Sequence, residues 1–149
     1  MQKRFLGSIF GVLFYPINTI VSTMAVLIFG VSEAVKNSNR LILSMATSPQ
    51  GLFCLVTALS LAGVCEEFVF RGFLQKTLSK HHPHVGLLVA SLIFGLFHFD
   101  PQGSYIIATF LMGLMYGYIY RRYRNYVIPA AAHATLNLLI LAVKLMMHL

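Results

Sequence analysis

Residues 51–71 read GLFCLVTALSLAGVCEEFVFR: an apolar run long enough to cross a bilayer, interrupted near its end by Glu66, Glu67 and Arg71. The chain has only four acidic residues, and two of them stand side by side in this run. A charge at mid-bilayer costs at least ~2.5 kcal/mol even on the most lenient scale, so adjacent carboxylates need a compensating reason. Arg71 supplies part of it, because it lies one helical turn after Glu67 on the same face. His98, His133 and Asn137 interrupt other apolar stretches in the same costly way. Carboxylate, imidazole and amide groups sharing a dry interior have the makings of a hydrolytic site inside a membrane.

Composition agrees with a membrane protein. Hydrophobic residues make up 58% of the 149 and charged residues 10%, against about 25% charged in a soluble domain. The net charge of +7 does not form a stripe that would read nucleic acid. Its basic residues punctuate the apolar segments, where they act as topology signals. Cys54 and Cys65 lie in one apolar segment with no third cysteine. That leaves no disulfide framework and no thiolate metal site, and small core residues are the expectation.

Five apolar segments stand out, at residues 5–31, 51–78, 85–99, 104–120 and 126–147. The expected fold is all-α: a polytopic membrane bundle of five transmembrane helices, one of them short or broken. The whole chain, 1–149, reads as one domain, with an amino-terminal helix at 5–31 and a motif-bearing core at 51–147. The first segment follows Lys3 and Arg4, but its apolar run is too long for a signal peptide and no small-residue cleavage site follows it, so it reads as a retained helix. Pro16 and Asn18 are positioned to bend it. Residues 85–99 make only about 22 Å of helix, short of a ~30 Å hydrocarbon core. They end at the turn signal Asp100-Pro101-Gln102-Gly103. Irregular backbone at membrane depth belongs beside a water-filled cavity, so a wet pocket is expected near His98. His81, His82, Pro83 and His84 read as a polar interfacial loop, with metal binding a minor alternative.

Helical rise puts Glu66 about 15–21 Å, His98 about 20 Å and His133 and Asn137 about 10–17 Å from the inner surface. Three helices thus carry polar groups to a similar level. His133 and Asn137 are one turn apart and share a face. Alanines surround His133, and Gly113 and Gly117 repeat the small-residue pattern that lets helices approach closely. Glu66 and Glu67 point about 100° apart, so they are expected to take different roles. Glu67 pairs with Arg71, which leaves Glu66 for chemistry. A carboxylate with a histidine can hold and deprotonate water. A second histidine and an amide can donate to the oxyanion formed when water attacks a carbonyl. The bland alternatives are a helix-packing histidine at His98 and a structural ion-pair cluster at Glu66, Glu67 and Arg71.

Three motifs stand in order: Glu66-Glu67-Phe68-Val69-Phe70-Arg71 fits E-E-x-x-x-R, Phe94-Gly95-Leu96-Phe97-His98 fits F-x-x-x-H, and His133-Ala134-Thr135-Leu136-Asn137 fits H-x-x-x-N. Together they resemble the CPBP family of intramembrane proteases, which comprises type II CAAX prenyl endopeptidases and bacterial Abi or bacteriocin-processing proteins. The resemblance runs from about Cys65 to Leu139. It implies that Glu66 acts with His98 as the base on a water, in a glutamic-protease mechanism. It further implies an oxyanion hole from His133 and Asn137, with Glu67 and Arg71 bracing the site. No cofactor is expected; a zinc held by Glu66, His98 and His133 is the lesser alternative. The implied partners are the lipid bilayer and a membrane-associated peptide or protein substrate, and the implied location is a bacterial inner membrane. The chain is shorter than eukaryotic members, which leaves prenyl-CAAX specificity open. The competing reading is a non-catalytic immunity or scaffold protein or a small transporter, but a transporter would more often show paired repeats, and none is visible.

With the amino terminus in the cytoplasm, Lys3, Arg4, Arg71, Lys76, Lys80, Arg121, Arg122 and Arg124 fall inside. Only Lys36, Arg40 and Lys144 fall outside. Reporter fusions after Lys80 and Arg124 are expected to read cytoplasmic, and fusions after Asp100 or at Leu149 non-cytoplasmic. A cytoplasmic signal at Leu149 would overturn the five-span count.

Overall fold

The computed structural model describes residues 2–148; the carboxyl-terminal Leu149, expected on the outer side, lies outside the described residues. Each expected apolar segment forms a helix. These are α1 (Gln2–Phe29), α3 (Pro49–Glu67) with its continuation, α5 (Pro83–Phe97), α6 (Ser104–Tyr123) and α7 (Val127–Met146). The continuation of α3 is a π-helical stretch, Phe68–Gln75, followed by the short α4 (Lys76–Leu78). Three helical stretches are long and apolar enough to cross a membrane: Gln2–Phe29, Pro49–Leu78 and Val127–Met146. Helix α5, with 15 residues, is the short element that the sequence suggested. The protein is an all-α membrane helix bundle.

Burial is inverted relative to a soluble protein. Phe5, Leu27, Phe53 and Phe97 are exposed on the outside, whereas Glu67 and Arg71 are 0% exposed. Lipid is as good a solvent for an apolar side chain as the core is, so the outer face stays greasy and the polar groups turn inward. Cys54 and Cys65 correct the expectation of core cysteines: both are free and exposed. A thiol costs little on a lipid-facing helix surface.

A sixth element was not foreseen. Helix α2 (Glu33–Met45) occupies what reads as the first polar connection. Ser32 caps it by accepting from the Val35 N–H at 3.1 Å, and Glu33 stands in the first turn, where the helix dipole favours an anion. Glu33 also pairs with Lys36 at 2.7 Å, which holds its carboxyl below the usual carboxylate range. The signal was there to be read: a capping serine, then an acid, with Val35, Ile42 and Met45 spaced as one amphipathic face. No long apolar run marks it, because the helix contacts the bundle on one side only.

Close approach between helices is set by small residues. A Cβ on Gly7 would strike the Ile128 carbonyl oxygen and Ala131, and one on Gly11 would lie 2.5 Å from the Ala132 carbonyl oxygen and 2.7 Å from Thr135. Helices α1 and α7 therefore run parallel and in backbone contact over their first turns, with Thr135 donating to Ser8 across the seam at 3.2 Å. Helix α1 continues through Pro16 without a break. Beyond Phe14 a cavity opens between the two helices, lined by Tyr15, Asn18 and Ser22 of α1 and by Asn137, Ile140 and Val143 of α7. Gly113 and Gly117 serve α6 in the same way, facing Ser91 and Phe94 of α5 and Gln75 of the π segment. Below the cavity, Phe14, Met112, Tyr116, Ile119, Ile128 and Leu136 form the apolar core.

Gly11→Leu drives a branched side chain into α7 backbone that cannot yield. The expected loss is about 1–3 kcal/mol or more, read as a fall in melting temperature in detergent. Gly72→Ala is the control: its new Cβ meets nothing closer than 3.6 Å and is expected to change the melting temperature little.

Candidate active site

Glu66 and Glu67 end α3 where the backbone widens into the π stretch. A π turn places an extra residue in the helix and rotates the faces that follow, and such turns often accompany functional sites. Here the rotation turns both Arg71 and Gln75 inward. The Arg71 guanidinium donates from Nη2 to the Gly113 carbonyl at 3.2 Å, and Gln75 donates to the Gly117 carbonyl at 2.9 Å. The π segment and α6 are thus fastened at two successive turns of α6.

Glu67 lies at the centre of this fastening. Its Oε2 is 2.9 Å from Arg71 Nε, and its Oε1 is 3.3 Å from His133 Nδ1. The Arg71 contact is close but poorly aligned for a directed hydrogen bond, since neither atom has a hydrogen-bond partner by geometry. Charge attraction in low dielectric holds it. Arg71 also lies 5.0 Å over the Phe94 ring centroid, which adds cation–π attraction to a desolvated guanidinium. Because an ionised carboxylate only accepts, His133 Nδ1 carries the proton of that contact. Its ring is stacked on Tyr116 with centroids 4.9 Å apart, and Nε2 is left as the free ring nitrogen. Tyr116 is itself almost fully buried, and its hydroxyl has no hydrogen-bond partner.

Glu66 points elsewhere, as adjacent helical residues must. Its Oε2 lies 3.8 Å from His98 Nε2, with both side chains about one-third exposed. The opposite nitrogen of His98, Nδ1, is 2.9 Å from the Phe94 carbonyl oxygen. A carbonyl only accepts, so Nδ1 carries a proton and Nε2 is turned toward Glu66. His98 is the carboxyl-terminal cap of α5, and the chain then turns through Asp100, which accepts from the Tyr105 N–H at 2.8 Å and from the Ser104 hydroxyl at 3.3 Å. Gly103, at φ 78°, supplies the left-handed residue that this turn requires. The broken end of α5 is fixed in place by these contacts.

Five of the six sequence-selected residues therefore fall into two adjoining clusters, Glu66 with His98 and Glu67 with Arg71 and His133, and Asn137 stands apart from both. The Phe94 ring divides them, 4.8 Å from the His98 ring and 5.9 Å from the His133 ring. Asn137 donates to the Leu59 carbonyl at 3.3 Å, a contact that ties α7 to α3 and uses one of its two amide protons. His98, His133 and Asn137 line one cavity of about 350 Å³, while Glu66 stands behind His98 and is not part of its wall. Sequence reasoning missed the Glu67–His133 contact and the parts of Tyr116, Gln75 and Phe94. Gln75 and Tyr116 carry no motif of their own, and the π turn that brings Gln75 inward leaves no mark on the periodicity. Among the described residues no three His, Cys, Asp or Glu side chains gather as a metal site. His84, from the interfacial cluster, instead lies against Arg121 at 3.0 and 3.1 Å.

Fold and site together define a membrane helix bundle with an ionisable cluster in its interior. Residues 48–139 match the family described as type II CAAX prenyl endopeptidase Rce1-like, and the chain belongs to that family. All six residues discussed fall within the match, and α1 and α2 fall before it. The chain is also 33% identical over 101 residues to a Bacillus subtilis (strain 168) protein named Uncharacterized protein YpbD, over 64% of this chain and 46% of that protein. The match thus spans under half the length of that relative. No solved structure matches the chain.

Glu67→Gln leaves the Arg71 guanidinium buried without its counter-charge. Breaking a buried pair in this way costs about 3–5 kcal/mol, so a large fall in melting temperature or in accumulated protein is expected. A variant as stable as the parent would show that the pair does not hold the bundle together.

Proposed function

We propose that the protein is an endopeptidase that hydrolyses a peptide bond of a membrane-associated peptide or protein, with Glu66 as general base on a water shared with His98. The observation that carries this reading is the 3.8 Å separation of Glu66 Oε2 and His98 Nε2. It is too long for a direct hydrogen bond and suits two groups that hold one water between them. Nδ1 of His98 is already committed to the Phe94 carbonyl, which aims Nε2 at that water. Glu66 Oε2 is a buried oxygen with no other hydrogen-bond partner and is free to take its proton.

The water oxygen attacks the scissile carbonyl carbon as its proton passes to Glu66. The carbonyl oxygen becomes an oxyanion. Asn137 offers it the amide proton not used by Leu59, and His133, when protonated, offers Nε2–H while Glu67 supplies the balancing charge at Nδ1. Collapse breaks the C–N bond, and the proton held by Glu66 goes to the leaving nitrogen, giving a carboxylic acid and an amine; the acid then passes its proton to the amine, leaving a carboxylate and an ammonium. Arg71 positions Glu67 and touches no reacting atom. The amino terminus is assigned to the cytoplasm of a bacterial inner membrane, on the distribution of basic residues.

Glu66→Gln is expected to abolish hydrolysis of membrane-anchored peptide libraries by the reconstituted protein, with melting temperature retained. Asn137→Ala is expected to lower the rate about 10²–10³-fold. Activity is expected to survive strong chelators, with zinc well below one per chain. Near-normal turnover in Glu66→Gln, or stoichiometric zinc lost and regained together with activity, would refute the mechanism.

A further inference from the structure

The cavity has a second end that the hydrolytic chemistry does not use. One wall is the outer half of α7, from His133 through Asn137 to Lys144, and the facing wall is the polar side of α1, with Asn18, Ser22 and Thr23. These α1 residues lie outside the family match, in the middle and outer part of a 28-residue apolar helix. Polar side chains there are costly against lipid and useful against peptide groups, which must be hydrogen-bonded in a dry setting. Among the described residues, Lys144 is the one lysine or arginine on the wall of this cavity. Its ammonium donates to Asn39 of α2, and among the described residues no acidic side chain pairs with it. All four acidic residues are engaged elsewhere: Glu33 with Lys36 and Arg40, Glu66 with His98, Glu67 with Arg71 and His133, and Asp100 with Ser104 and Tyr105. Among the described residues, a half-buried ammonium facing a cavity thus has no anion within ion-pair distance.

From this arrangement we infer that Lys144 is a subsite for a carboxylate on the substrate, about five residues from the scissile bond. This rests on the hydrolytic reading of the same site. Eleven helical residues separate His133 from Lys144, about 16 Å at helical rise. An extended peptide covers that distance in about five residues at ~3.3 Å each. Asn18, Ser22 and Thr23 stand opposite, where they meet the peptide groups in between. The carboxylate comes either from an Asp or Glu side chain or from the substrate's carboxyl terminus, since the ammonium reads charge and not its source.

The full chain is reconstituted in neutral nanodiscs as the Glu66→Gln variant, so that binding is measured apart from turnover. The probes are lipid-anchored fluorescent peptides carrying one glutamate, one glutamine, a free carboxyl terminus without glutamate, or an amidated terminus. A carboxylate in either arm is expected to tighten binding about tenfold or more over its neutral counterpart, the worth of a charge-assisted hydrogen bond. The arm that shows the effect identifies its source. Lys144→Arg is expected to keep the preference, Lys144→Gln to abolish it with melting temperature little changed, and Lys144→Glu to transfer it to a lysine-bearing peptide. With the parent protein, products mapped by mass spectrometry are expected to place cleavage four to six residues from the carboxylate. Equal affinity for charged and neutral peptides, or a preference that persists in Lys144→Gln, overturns the inference. So does a Lys144-dependent gain in melting temperature with anionic lipid and none with peptide, which would assign the ammonium to phospholipid phosphate. A charge preference in binding without hydrolysis by the parent would instead remove the catalytic reading and leave the subsite standing.

Discussion

The bundle depends on the ion pair between Glu67 and Arg71. Two full charges with no solvent exposure are tolerable only if each is answered several times over. Glu67 is answered by Arg71 and His133, and Arg71 by Glu67, the Gly113 carbonyl and the face of Phe94. These partners come from α3, the π segment, α5, α6 and α7, so one pair of charges fixes the relative positions of five elements. Apolar packing alone is a weak guide inside a bilayer, where lipid tails compete on equal terms with core side chains. A buried charge has no such competitor, because misplacing it leaves it unpaired.

Membrane topology and site construction follow from the same constraint. The backbone is irregular at two places near the site, the π stretch after Glu67 and the turn after His98; each turns polar groups inward, Arg71 and Gln75 in the first and Asp100 in the second, while Phe68, Phe73 and Phe99 stay on the outer surface. The turn at Asp100 satisfies its own hydrogen bonds through Tyr105 and Ser104, which lets α5 stop short without exposing bare amides. The glycine seam between α1 and α7 adds the other half of the design. It closes the bundle at one level, and the cavity opens at the next.

Much of this was legible in the chain. Glu66, Glu67, Arg71, His98, His133 and Asn137 stand out because polar groups in apolar runs are expensive, and the structure sets Arg71, His98 and His133 against the ring of Phe94. The five apolar segments are legible for the same reason, as long runs with basic flanks. Helix α2 is marked only by its cap, Ser32 followed by Glu33, and by a short amphipathic face that polar residues dilute. The π turn was not legible, because widening a helix by one residue changes no residue type. The pairing of His133 with Glu67 was hidden as well: helical spacing groups His133 with Asn137, and only the crossing of α3 and α7 decides which carboxylate it meets. The two cysteines misled, since small apolar residues inside a membrane protein need not face inward.

The π stretch makes chain length itself a functional variable. The helical run from Pro49 to Leu78 has 30 residues; with one residue removed from its widened turn it would still reach about 43 Å, ample for any bilayer. Membrane insertion tolerates such a deletion, because hydrophobicity and flanking charge are unaltered. Coordination of the interior does not, since every side chain after the missing residue swings by about 100° and Gln75 leaves the Gly117 carbonyl. Insertion competence and the order of the polar interior are therefore encoded on separate scales in one helix: the first in a coarse sum over residues, the second in their integer count.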